Sequence, residues 1–83
     1  MTDAKKAVGI AINYFKDVCG GSFSGLQLEE LEMTEHEDHW LVTLSYVEHP
    51  LAVLMGEPKR SYKIFKISRE TGQVVSMKIR EIK

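Results

Sequence analysis

The chain has 83 residues, which predicts one domain over residues 1–83 with a single core and excludes a second catalytic lobe. Its 43% hydrophobic, 28% charged and 8% aromatic residues are those of an ordinary globule and exclude a disordered or low-complexity chain. The net charge of −1 argues against wholesale nucleic-acid binding, and the lone Cys19 excludes an internal disulfide or a multi-cysteine metal site within one chain.

Met1 to Lys6 leads into an amphipathic stretch and not into an apolar segment with a cleavage site. No apolar run reaches the roughly 18 residues that span a bilayer, so the expected compartment is the cytoplasm. A helix is predicted from Asp3 to Val18, with Thr2 or Asp3 as N-cap and Gly20-Gly21 as the stop. Ala4, Ala7, Val8, Ala11, Phe15 and Val18 recur at spacings of three and four and form one stripe, with Ile12 and Tyr14 on its shoulders. A stripe made largely of alanine suits a helix lying close against a sheet, with Phe15 as its large plug. Gly20, Gly21, Ser22, Ser24 and Gly25 read as a loop in which Phe23 is an apolar anchor.

The period then changes to two. Leu31 and Met33 alternate with Glu30, Glu32 and Thr34, while Leu26 and Leu28 stand in the opposite phase, which predicts a bulge near Glu29 and Glu30. Glu35-His36-Glu37-Asp38 is a hairpin turn. His39 to Val47 alternates Trp40, Val42, Leu44 and Tyr46, assigned to the core, with Leu41, Thr43, Ser45 and Val47. Tyr62 to Ile67 is apolar in both phases, as expected of a strand with neighbours on both sides. Ser68 to Gly72 is a tight turn in which Gly72 supplies a positive φ. The last strand, Gln73 to Ile82, sets Val75, Met77 and Ile79 against Ser76, Lys78 and Arg80. The expected fold is α+β: an N-terminal helix packed on a four-stranded antiparallel sheet.

The alanine-bearing helix, then LEELEMTEHEDHWLVTLSY, then RSYKIFKISRETGQVVSMKI with its Thr71-Gly72 hairpin turn, resembles the PepSY-type layout within the cystatin-like α+β architecture. The resemblance implies a binding or inhibitory module, with an immunity-like role among its readings, and brings no catalytic residues. The chain departs from the pattern in carrying no export signal and in its longer connection over residues 48–60.

Charge is unevenly spread. Leu26 to His49 holds seven acids (Glu29, Glu30, Glu32, Glu35, Glu37, Asp38, Glu48) and no Lys or Arg, whereas Lys59 to Lys83 holds eight bases against Glu70 and Glu81. The plain expectation is that opposite charges meet across neighbouring strands. The other is a basic face in which Lys66, Lys78 and Arg80 share the solvent side, with Tyr62 as a stacking surface for single-stranded nucleic acid.

No residue set calls for catalysis, a cofactor or a metal. His36 and His39 flank Glu37 and Asp38, but a tetrahedral site draws ligands from more than one element, and one turn is a poor cage. The glycine-rich stretch at 20–25 follows a helix, the wrong order for a phosphate cradle. Cys19 sits at a helix C-terminus, where the dipole disfavours a thiolate. Glu29 and Glu30, consecutive in a strand, are expected on opposite faces and so unable to act as a pair.

Pro50 to Gly56 brackets the apolar run Leu51-Ala52-Val53-Leu54-Met55 in what should be a polar connection. It either caps the core or forms a contact surface, in which case Leu51, Val53, Leu54 and Met55 are the partner-binding residues. The function expected from the sequence is a cytoplasmic, non-enzymatic module that binds another protein or forms a homodimer. Nucleic-acid binding through the basic strands is the alternative.

Overall fold

The computed structural model describes residues 1–20, 23–48 and 60–79. The helix runs Ala4–Cys19 (α1) and is followed by strands Phe23–Met33 (β1), His39–Glu48 (β2), Arg60–Ser68 (β3) and Val74–Ile79 (β4). The four strands form one antiparallel sheet in the order β1-β2-β3-β4, and α1 packs across one face of it. This is the α+β arrangement expected from the sequence.

Both helix ends follow from local chemistry. The Asp3 carboxylate accepts a hydrogen bond from the Lys6 N–H at 2.8 Å, satisfying one of the amides that a first turn leaves without an intrahelical acceptor. Gly20 takes the left-handed conformation and its N–H bonds the Lys16 carbonyl, as a helix-terminating glycine does. Ala7, Ala11 and Phe15 are fully buried. This line steps in fours, and such a row drifts about 40° round the axis at each step. The helix therefore lies obliquely on the sheet, and Cys19 packs against the core at the end of the row while Val18, expected on the stripe, is 54% exposed.

The core is completed by Val42, Leu44 and Tyr46 from β2 and by Phe65 and Ile67 from β3. Phe15 is its hub, with ring centroids 4.6 Å from both Phe23 and Tyr46 and 6.4 Å from Phe65. That stacking explains why Phe23 opens β1 instead of lying in a loop: its ring is held by Phe15 while its backbone pairs opposite Glu48. Ser24 and Gly25 accordingly belong to the strand.

β1 carries two bulges against β2. One lies at Gly25, whose φ of 61° suits glycine. The other lies at Glu29, between the Leu28–Leu44 and Glu30–Thr43 pairs, where the change of hydrophobic phase predicted it. The 34–39 turn closes with Thr34 and His39 bonded through the backbone and Glu37 at positive φ.

In the β3–β4 turn, Gly72 has φ 79°, and a Cβ there would lie 3.0 Å from Thr2 Oγ1 and 3.3 Å from Ile10 Cδ1. Both the turn and the close approach of the N-terminal segment require glycine. A third bulge, between the Lys66–Ser76 and Ile67–Val74 pairs, changes the expected phase at the start of the last strand: Val74 packs on the core and Val75 is 56% exposed. Met77 and Ile79 keep the expected phase, Met77 packing on the core and Ile79, at the strand end, being 74% exposed.

Candidate functional site on the open face of the sheet

Alternation puts Trp40, Val42, Leu44 and Tyr46 under the helix and turns Leu41, Thr43, Ser45 and Val47 to the other side. Among the described residues, no element packs on that second face. Strand register lays it out in rows. One row is Glu30–Thr43–Ile64–Lys78, and the next is Glu32–Leu41–Lys66–Ser76. Further along, Gln27, Ser45 and Tyr62 align.

The face is therefore polarised across the strands. Acids stand on β1, small or apolar residues fill β2, and Lys66 and Lys78 stand on β3 and β4. Leu41, Val47, Tyr62 and Ile64 are half-buried and form its apolar middle. Opposite charges meet on this face at Glu29 of β1 and Arg60 of β3, which converge on Ser45 across β2, whereas Lys66 and Lys78 stand across uncharged positions of β2 from the acids. Lys66 and Lys78 do share a face with Tyr62, as the sequence predicted. Arg80 lies outside the described residues, as do Leu51, Val53, Leu54 and Met55.

Thr43 and Ser45 are buried although they belong to the open side, a feature that alternation alone does not reveal. The Ser45 hydroxyl donates to Glu29 Oε2 and accepts from Arg60 Nη1 at 2.8 Å. Arg60 also donates to the Gly25 carbonyl at 2.9 Å, and Gln27 Nε2 donates to Glu29 at 2.9 Å. This cluster ties both β1 bulges to β3 across β2. The hydrogen bond from Ser45 is the main reason the Glu29 carboxyl titrates below its ordinary range, followed by that from Gln27, with the Arg60 charge adding to them.

The bulge also overturns the expected placement of the two glutamates. Glu29 reaches Ser45, and Glu30 pairs opposite Thr43, so the extra residue brings consecutive side chains to one face. They still make a poor catalytic pair. Lowering the Glu29 pKa weakens it as a base, and Ser45 is fully buried with its proton committed to Glu29.

A concavity of about 440 Å³ lies where the two hairpin turns meet and is lined by Met1, Glu37, Asp38, His39, Ser68, Arg69 and Glu70. Arg69 crosses it, its backbone N–H bonding the Asp38 carbonyl at 3.0 Å and its Nη1 the Glu37 carbonyl at 3.1 Å. His39 Nδ1 lies 3.0 Å from Asp38 Oδ1, while His36 is exposed in the turn. Among the described residues, no three His, Cys, Asp or Glu side chains are grouped to hold a metal ion.

Asp38 offers a pH test of this turn. The Thr34 hydroxyl bonds its carboxylate at 2.8 Å, and this bond, followed by His39, lowers the Asp38 pKa from 3.8 to about 2. The folded pKa lies below the unfolded one, so the folded chain binds fewer protons between them. The stabilisation is full above pH 3.8, declines as pH falls, and is gone below about 2. Asp38→Asn should therefore be less stable than wild type at pH 6 and equal to it near pH 2, as read from urea melts across that range. Because the Asp38 side chain is 61% exposed, the gap should be small, but a constant gap across the range would contradict the assignment.

Among the described residues, no helix is long and apolar enough to cross a membrane. In comparisons with known proteins, no family model matches this chain, and neither does any curated protein or solved structure.

Proposed function

We propose that this chain is a cytoplasmic, non-enzymatic protein-binding module whose contact surface is the open face of the sheet. The observation that carries this reading is the composition of that face: half-buried Leu41, Val47, Tyr62 and Ile64 on the two inner strands, with Glu30 and Glu32 on β1 and with Lys66 on β3 and Lys78 on β4. An apolar middle with a charged rim is the anatomy of a protein contact. Kinship with the PepSY-type layout belongs to the same proposal and is supported by the order of one helix before four strands and by the Thr71-Gly72 turn.

Nucleic-acid binding is the second reading, favoured by Lys66, Lys78 and Tyr62 sharing one face. Glu30 and Glu32 on that same face oppose phosphate.

Affinity capture from a native-host extract tests the two readings with three baits: wild type, Ile64→Glu, and a chain with Leu51, Val53, Leu54 and Met55 changed to serine. The expected outcome is a defined protein held by wild type and by the serine variant at about 0.5 M salt, and lost by Ile64→Glu with its fold intact by circular dichroism. Loss in the serine variant alone would move the contact to the 51–55 run. Binding of a single-stranded oligonucleotide with a steep salt slope, abolished by Lys66→Glu with Lys78→Glu, would replace the protein reading with the nucleic-acid one.

A further inference from the structure

We propose that the partner of the open face is a second copy of this chain, stacked face to face about a two-fold axis that runs along the strands. The proposal rests on the protein-binding reading above and supplies its occupant. Its ground is the order of charge across the sheet. In the row Glu30–Thr43–Ile64–Lys78, the acid stands at one edge and the base at the other, with uncharged residues between.

A two-fold axis along the strands reverses left and right while keeping each row at its own level. It therefore brings Glu30 of each copy over Lys78 of the other and Thr43 over Ile64. In the neighbouring row, Leu41 of each copy comes over the aliphatic stem of Lys66, and Glu32 over Ser76, beside the lysines. A two-fold axis across the strands would instead lay β1 on β1 and β4 on β4, with acid against acid and base against base. The charge pattern thus fits one closed pairing and opposes the other, as a self-complementary contact must.

Sheets that pack face to face lie about 10 Å apart with their strands offset by about 30°, a spacing that long Glu and Lys side chains can bridge. Four strands about 4.8 Å apart, paired over five to nine residues, offer at most roughly 500 Å² per copy, with Thr43 and Ser45 already buried within it. The total sits near the lower limit of specific interfaces, so the expected dimer is reversible, with a dissociation constant in the micromolar range. The contact would also cover apolar surface that a core of this size leaves to solvent.

Sedimentation equilibrium from about 10 to 500 µM is the test. Wild type should be dimeric at the upper end. Glu30→Lys with Glu32→Lys, and separately Lys66→Glu with Lys78→Glu, should each be monomeric throughout. The chain carrying all four changes should dimerise again. For the direction of the axis, in a Cys19→Ser background, Glu30→Cys mixed with Lys78→Cys should form an intermolecular disulfide, and Glu30→Cys alone should form none.

A dimer indifferent to the charge reversals, or a disulfide between two Glu30→Cys chains, overturns the proposed contact. A monomeric wild type at 500 µM also overturns it, and the capture experiment then decides the broader reading. Capture lost in Ile64→Glu leaves the protein-binding reading standing with a different partner, whereas the absence of any face-dependent capture removes both.

Discussion

Replacing Phe15 by alanine should lower the urea midpoint by about half. Phe15 is fully buried, and its ring touches or approaches aromatic rings from β1, β2 and β3, so it joins the helix to three strands at once. A phenylalanine-to-alanine change in a core costs about 3–5 kcal/mol, through lost transfer energy and the cavity left behind. A domain of this length holds only roughly 4–12 kcal/mol in total. The cavity cannot close easily, because Ala11 and Ala7, the next residues on the buried row, carry only methyl groups to fill it. Phe15→Leu, which keeps most of the volume, should cost much less. Urea titrations followed by far-ultraviolet circular dichroism measure both. An unchanged midpoint in Phe15→Ala would show that the core is centred elsewhere.

Trp40→Ala should cost about 2–4 kcal/mol through two separable effects. The Trp40 ring is half-buried and packs against the core, and its indole N–H donates to the Thr2 carbonyl at 2.9 Å. Thr2 is itself buried, and its N–H bonds the Arg69 carbonyl at 2.7 Å. Trp40 thus ties the start of the chain to the β3–β4 turn. Trp40→Phe keeps a ring in place but removes the donor, leaving the Thr2 carbonyl without this partner, at a cost of about 1 kcal/mol. Thermal melts of the two variants separate packing from hydrogen bonding. Equal losses would mean that the ring contributes no packing, and that Trp40 belongs to the polar linkage alone.

Features that depend on short-range periodicity and local chemistry could be read from the residues alone. The helix ends were legible because Asp3 and Gly20 satisfy or terminate backbone hydrogen bonding through neighbours only a few residues away. The burial of Ala7, Ala11 and Phe15 and the inward set Val42, Leu44 and Tyr46 followed from spacings of four and of two. The bulge at Glu29 was visible as a change of hydrophobic phase, and the positive φ at Gly72 as a glycine in a turn.

Features that depend on how elements cross and which strands become neighbours emerged in three dimensions. The tilt of α1 over the sheet left Val18 in solvent, although its position on the helical wheel places it near Ala7. The register of β4 moved Val74 inward and Val75 outward through a bulge for which the alternating Val75, Met77 and Ile79 gave no signal. Ser45 became buried because Glu29 and Arg60, 16 and 15 residues away in the chain, converge on its hydroxyl. The acids of β1 and the lysines of β3 and β4 were legible as composition. Their separation by β2 into a polarised face is a property of strand order, which no local pattern encodes.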